Sequence, residues 1–146
     1  MSRIRVIYLV FAAFSAYLLL HSCQSEESIR KAQYITNGQN VYVTRCQNCH
    51  GAKGEGLGAL YPPLTDSIFL RSYRQQLPGI VKHGLSGRIT VNGQQFDSEM
   101  PPTSQITPIE IAYVLTYISN ILGKDDRIFS LEEVNEALAA GANGRL

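Results

Sequence analysis

The pattern of apolar and polar positions predicts a chain that is mainly helical in its folded part. The clearest stretch opens at Thr107, where Glu110 three residues later completes a capping-box pattern and Pro108 occupies the first helical position. Apolar residues then recur at helical spacing, and the predicted helix ends at Gly123. The residues of this apolar stripe are Ile111, Val114, Leu115, Ile118 and Leu122.

Shorter helices are predicted on both sides of this one. The spacing of apolar residues predicts a helix over about 36–46, and Asp66 is placed to cap a helix that runs to about residue 74. Another is predicted over 77–83, ending before Gly84. A final helix, capped by Ser130, is predicted to run to about Ala140.

Two segments between the helices follow other patterns. Asn92-Gly93 lies between short stretches of β-branched and aromatic residues, which is a strong signal for a β-hairpin over 88–96. So small a hairpin is not stable alone, so we expect it to lie as a flap on the helical body. Four glycines in 51–60 predict a loop, and the prolines that follow favour an extended segment over 61–64.

The N-terminus has the features of an export signal. Arg3 and Arg5 precede an uncharged, apolar stretch over 6–20, which as a helix is about 22 Å long and short of the bilayer's apolar core. Leu20-His21-Ser22-Cys23 then resembles a bacterial lipobox. We therefore predict a signal peptide over 1–22, a lipid-bearing Cys23 and a polar tether over 23–34. An ordinary signal peptide with a free cysteine, or an uncleaved anchor helix, are the alternatives.

Composition narrows the class of protein. The 146 residues suit one globular domain, and 13 basic against 12 acidic residues give a net charge of +1, which argues against nucleic-acid binding. Three cysteines are too few for a disulfide-stabilised scaffold. With Cys23 assigned to the lipid anchor, the other two need a separate explanation.

These two cysteines form the motif Cys46-Gln47-Asn48-Cys49-His50, the attachment site of a c-type haem. Two thiols add to the two vinyl groups of the porphyrin, and the adjacent histidine binds the iron. A thioredoxin-like redox pair is one alternative, but it expects a cytosolic βαβ setting and has no use for His50. A structural zinc site is another, but it needs four ligands.

The ligand at the second axial position of the iron decides whether a c-type haem transfers electrons or reacts with small molecules. The processed chain offers one methionine, Met100, and one spare histidine, His83. Met100 precedes Pro101-Pro102 and follows polar residues, so it lies on a stiff, extended segment that does not resemble core. We predict Met100 as the sixth ligand and place His83 at a helix end.

With these motifs the sequence resembles the class I cytochromes c, over about residues 37–122. The resemblance rests on the haem motif with its following glycines and on several segments: Gly38-x-x-x-Tyr42, Pro62-Pro63-Leu64, His83-Gly84, Ile89-Thr90-Val91-Asn92-Gly93 and Met100-Pro101-Pro102. It implies an all-α cytochrome c fold over 35–123, with three to five helices around one covalent haem c, a small β-hairpin and a C-terminal helical tail over 124–146.

The resemblance also assigns roles to residues around the haem. Gly38 allows a close crossing of the first helix with the one that starts at Thr107. The carbonyl of Pro62, rather than Pro63, accepts from Nδ1 of the ligating histidine, and Leu64 packs on the haem face. Many relatives bind a haem propionate with tryptophan, which this chain lacks, so Arg71, Tyr73 and Arg88 are the candidates in its place.

The function implied is one-electron transfer between larger redox proteins, such as a dehydrogenase, reductase or oxidase, with no small-molecule substrate. The lipid anchor places the protein on the periplasmic side of a bacterial membrane. The alternatives are a haem enzyme or gas sensor with a labile sixth ligand, and a fixed electron-entry subunit of a larger enzyme. Either would keep the same haem motif.

Overall fold

The computed structural model describes residues 2–103 and 105–141, with side chains described for 3–17, 26–103 and 105–141. The chain divides into two compact units, Met1–Gln33 and Tyr34–Leu146. Helix α1 spans Ser2–Arg45. The predicted start near residue 36 is therefore wrong, and the segment 23–34 expected as a polar tether is helical. It contains strong helix formers and no Gly or Pro.

The first unit consists of the early part of α1. Its apolar side chains between Ile4 and Tyr17 are each more than half exposed. Within the described residues, no helix has both the length and the apolar character that crossing a membrane requires. The signal peptide over 1–22 and the lipid on Cys23 remain predictions, and residue 1 and the side chain of Cys23 lie outside the described part.

The second unit contains the remaining helices and the hairpin. The helices after α1 are α2 (Gln47–His50), α3 (Ser67–Ser72), α4 (Leu77–His83), α5 (Pro108–Tyr117), a π-helical turn (Ile118–Leu122) and α6 (Leu131–Ala139). The strands are β1 (Ile89–Val91) and β2 (Gln94–Phe96), paired antiparallel with Ile89 opposite Phe96. The predicted fold class, all-α with a small hairpin, is confirmed.

Asp66 joins α3 to the hairpin. Its Oδ1 accepts hydrogen bonds from the backbone N–H groups of Ile68 (2.9 Å) and Phe69 (3.1 Å), which is the predicted cap. Its Oδ2 accepts from the N–H of Asn92 at the tip of the hairpin, at 2.8 Å. Asn92 and Gly93 both have positive φ, as the predicted two-residue turn requires. One carboxylate thus fixes the flap to the helical body.

Helix α5 begins as the sequence predicts. Thr107 and Glu110 form both halves of the capping box. After Tyr117 the backbone widens into the π-helical turn, which the apolar spacing did not reveal, and this turn ends at the predicted Gly123. The apolar stripe nevertheless stays on the buried side, since Ile111, Val114, Leu115 and Ile118 are each at most 5% exposed.

The crossing of α1 and α5 depends on Gly38. A Cβ at Gly38 would overlap the carbonyl oxygen of Tyr113 and would lie 2.7 Å from the Cβ of Tyr117. No side chain fits in that space, so the helices approach closely only because residue 38 is glycine. Tyr42, one turn later on α1, is fully buried and its ring lies 5.3 Å from that of Tyr117. The predicted close crossing is therefore present.

The C-terminal tail packs into the same core. Helix α6 is capped by Ser130, as predicted, and Phe129 and Val134 are fully buried. Arg74 holds this segment: its guanidinium donates to both carboxylate oxygens of Glu133 (2.6 and 2.9 Å) and lies 3.7 Å over the ring of Phe129. The predicted tail extends to residue 146, and residues 142–146 lie outside the described part.

Candidate haem-binding site

The second unit contains a cavity of about 390 Å³. Its walls are mainly apolar and come from α3, α4, the hairpin and the α5 region. The side chains that form them include Leu70, Leu77, Ile80, Val91, Phe96 and Ile118. An apolar space of this kind suits a large, flat, mostly hydrophobic group.

Both cysteines of the Cys-x-x-Cys-His motif line this cavity. Helix α1 ends at Arg45, and the short helix α2 follows at Gln47, so the turn between them carries Cys46. Cys46 and Cys49 are free thiols and half-buried. Burial raises the pKa of the Cys46 thiol to about 11, although the neighbouring Arg45 lowers it. Two reduced thiols therefore face one apolar space, as attachment of a porphyrin requires.

The imidazole of His50 lines the same cavity in a fixed orientation. Its Nδ1 lies 3.0 Å from the carbonyl oxygen of Pro62, the acceptor expected from the resemblance. Burial lowers the pKa of His50, and the Pro62 carbonyl partly opposes that effect. Because a carbonyl only accepts hydrogen bonds, Nδ1 carries the hydrogen of the neutral ring. Nε2 then keeps the lone pair that a metal ligand needs.

The glycine-rich loop over 51–60 allows the carbonyl of Pro62 to lie next to the ring of His50. Gly56 has φ +75°, and a Cβ on it would lie 2.9 Å from the carbonyl carbon of Pro62 and 2.8 Å from the nitrogen of Pro63. Any side chain at residue 56 would push the proline segment away. Leu64 follows, half-buried, on the cavity wall, with its N–H donating to the carbonyl of Gly54 at 2.8 Å.

Met100 lines the cavity from a different segment. A pair of backbone hydrogen bonds of 3.0 and 2.9 Å joins it to Leu85, just after α4. Gly84 has φ +80°, and a Cβ there would overlap the carbonyl oxygen of Met100 and approach Pro101 and Pro102 at 3.0 Å. His83, the other candidate ligand, is exposed and is not among the cavity residues. Gly84 was expected as the stop of a helix and as part of the resemblance, and its contact with Met100, Pro101 and Pro102 was not predicted.

The residues present therefore fit a covalently attached haem. One apolar cavity brings together two reduced thiols, a neutral and oriented imidazole and a thioether. The zinc alternative required four ligands, and among the described residues no group of three His, Cys, Asp or Glu side chains is placed to hold a metal ion.

A sequence profile of the cytochrome c family matches residues 35–121, more than half of the chain. The chain belongs to the cytochrome c family. Cytochrome c-552 of Thermus thermophilus is 29% identical to it over 112 residues, which cover 70% of this chain and 85% of the relative. A second cytochrome c-552, from a particular strain of that species, is also 29% identical over 112 residues and is covered over 75% of its length.

Membership of this family assigns the cofactor and the general role. The cytochrome c domain, with Cys46 and Cys49 in the attachment motif, carries covalent haem c. Cytochromes c are typically electron carriers rather than enzymes, and the cavity described above is where this cytochrome c holds its redox group.

The three residues suggested for the haem propionates make contacts with neighbouring side chains. Arg71 donates to Ser67 at 3.2 Å, Arg88 pairs with Asp97 at 3.6 Å, and the ring of Tyr73 packs on Phe69. None of the three is among the cavity residues of the described structure. Their role at the propionates stays a prediction.

Proposed function

We propose that this cytochrome c is a membrane-tethered one-electron carrier whose haem iron is held by His50 and Met100. The observation that supports it best is that these two side chains line the cavity containing Cys46 and Cys49, whereas His83 is exposed. When bound, the haem supplies an iron that gains or loses one electron.

The surroundings of His50 and Met100 support their proposed role as iron ligands. Pro62 orients the ring of His50, and the bonds to Leu85 fix the backbone of Met100. If His50 and Met100 both held the iron, they would leave it no free position for a substrate. A thioether ligand and an apolar pocket both raise the reduction potential relative to other axial pairs. These properties favour electron transfer over chemistry on a bound molecule.

The tether is proposed from the N-terminal sequence. A basic start, the apolar stretch over 6–20 and the Leu20-to-Cys23 segment together favour signal cleavage and lipid attachment at Cys23. Lipid would hold the protein on the periplasmic side of a bacterial membrane and confine its encounters to that surface. The partners we propose are larger redox proteins, such as a dehydrogenase, a reductase or an oxidase.

Carbon monoxide tests the axial ligands. We expect the reduced holoprotein to keep its absorption spectrum when carbon monoxide is added, because Met100 occupies the sixth position. A gas sensor or haem enzyme would instead give a new spectrum at once. Ready carbon monoxide binding by the unmodified protein would overturn the proposed His50/Met100 pair.

Fractionation tests the tether. Cys23→Ala should move the protein from the membrane to the soluble fraction while its haem spectrum stays unchanged. Ser22→Ala is the matched control, because it keeps a small residue before the cysteine and should leave the protein on the membrane. A Cys23→Ala protein that stays membrane-bound after its signal peptide has been cleaved would reject the lipid anchor, and retention of an uncleaved signal would show that the apolar stretch over 6–20 is the anchor.

A further inference from the structure

Tyr42 is fully buried in the second unit, and yet it carries a hydroxyl group. That hydroxyl donates to the carbonyl oxygen of Gly51 at 2.6 Å, which is short for a hydrogen bond between two oxygens. A phenylalanine would fill the same space between α1 and α5. Packing between α1 and α5 therefore explains why residue 42 has an aromatic ring, but not why that ring carries a hydroxyl group.

The acceptor of this bond immediately follows His50. Gly51 has φ +81°, and it ends the short helix α2, with its N–H donating to the carbonyl of Gln47 at 2.9 Å. The backbone of Tyr42 accepts from the N–H of Cys46 at 2.9 Å. Tyr42 thus binds both ends of the segment 46–51, which carries the haem-attachment motif. Its carbonyl accepts from residue 46 at the start, and its hydroxyl donates to residue 51 at the end.

His50 is consequently fixed from several sides. Its ring is held by Pro62, its carbonyl oxygen accepts from the N–H of Gly56 at 2.8 Å, and the next peptide is held by Tyr42. The bond to Pro62 limits rotation of the ring. The bond to Tyr42 limits movement of the backbone from which the ring extends.

We propose that the hydroxyl of Tyr42 is a positioning group for the axial ligand His50. This inference rests on the proposed function, in which His50 binds the iron. Burial raises the pKa of Tyr42, so the phenol is protonated at neutral pH and remains a donor there. Without this donor, the Gly51 carbonyl keeps only the longer bond from the N–H of Gly54, at 3.3 Å.

The test is Tyr42→Phe in the holoprotein, with Tyr117→Phe as the matched control. The control removes a hydroxyl from the neighbouring ring and leaves the bond between Tyr42 and Gly51 in place. Two measurements are made on the oxidised protein by NMR: the hyperfine shifts of the His50 ring protons, and the hydrogen exchange of the Gly51 and Gly56 amides.

We expect Tyr42→Phe to change the His50 ring shifts and to speed exchange of these two amides by about fivefold or more relative to the control, since a buried acceptor loses its better donor. A purely structural role would speed exchange evenly across α4 and α5 and leave the ring shifts as in the parent, and that result would overturn the inference. Unshifted His50 ring protons in the parent would overturn the proposed axial ligand and this inference with it.

Discussion

At the scale of single residues, the proposed iron ligand Met100 lies on a fixed part of the cavity wall. Its side chain is partly buried and packs against the apolar core, and the segment around it is fixed by Leu85 and by the prolines that follow. A thioether held on a rigid backbone in an apolar cavity is suited to bind iron, which supports the ligand role proposed for Met100.

Met100→Leu tests this directly, since leucine has similar volume and no sulfur. We expect the reduction potential to fall and carbon monoxide to bind readily, because the sixth position opens. Potentiometric titration and carbon monoxide difference spectra measure both. His83→Ala, which alters an exposed imidazole, should leave both unchanged. An unaltered potential and an unaltered carbon monoxide response in Met100→Leu would show that Met100 does not bind the iron.

At the scale of elements, the contact between α1 and α5 places the haem motif. Gly38 and Tyr42 lie on successive turns of α1, and Cys46 follows one turn later. The position of the first cysteine is therefore set by how closely the two helices cross. A wider crossing would move the attachment turn relative to the cavity wall that α5 contributes.

In Gly38→Ala two effects on stability oppose each other: the higher helix propensity of alanine and the lack of space for a Cβ at the crossing of α1 and α5. Propensity alone predicts a gain of about 1 kcal/mol for alanine. The overlap of a Cβ with Tyr113 instead predicts a loss of about 1–3 kcal/mol in the free energy of unfolding, which urea denaturation of the holoprotein measures. Asn37→Ala changes the exposed neighbouring residue and should show the propensity effect alone. Greater stability in Gly38→Ala would refute the tight crossing.

At the scale of the whole molecule, the C-terminal segment beyond the family match completes the core. Phe129 and Val134 are fully buried, and the buried hydroxyl of Thr116 on α5 accepts from the N–H of Phe129 at 2.9 Å. Arg74, between α3 and α4, holds the same segment through Glu133. Residues of α3 and α4 also line the haem cavity. The C-terminal segment packs against α4 and Arg74, so it stabilises elements that form the cavity wall.

Phe129→Ala should therefore destabilise the whole domain. We expect a loss of about 3–5 kcal/mol in the free energy of unfolding, the usual cost of removing a buried aromatic side chain. Leu131→Ala, two residues away and 39% exposed, should cost much less. Similar small losses in both variants would mean that the segment is not part of the cooperative core.

Acid stability is a second property of the whole molecule. Hydrogen bonds from the Arg127 side chain lower the pKa of Asp125 from 3.8 to about 2. A carboxyl with a lowered pKa in the folded state adds stability above its unfolded pKa and loses that contribution as the pH falls through the folded value. The stabilisation by Asp125 should thus be complete above about pH 4 and disappear towards about pH 2.

Unfolding of the parent and of Asp125→Asn, compared from neutral pH to pH 2, measures this effect. The difference between them should stay constant at higher pH and shrink below pH 4. Glu136→Gln, which neutralises an exposed carboxylate on α6, serves as control and should differ from the parent much less. A difference that did not change with pH would contradict the role of Asp125.

The sequence by itself determined the parts of this protein that depend on local chemistry. Caps, glycine stops and the Asn-Gly turn act over a few residues, so the starts of α3, α5 and α6 and the hairpin were predictable. The cofactor sets the spacing of Cys46, Cys49 and His50, so the haem-attachment site could also be predicted from the sequence. The start of α1 was not, because a polar segment without Gly or Pro suits either a tether or a helix.

Only the tertiary structure decided which distant residues meet. It brings Met100 to the cavity and leaves His83 exposed, and it shows that Gly84 makes room for the methionine segment. It also gives the hydroxyl of Tyr42 a partner nine residues away. The physical reason is that side-chain direction and close approach depend on how elements pack, and packing depends on residues far apart in the chain.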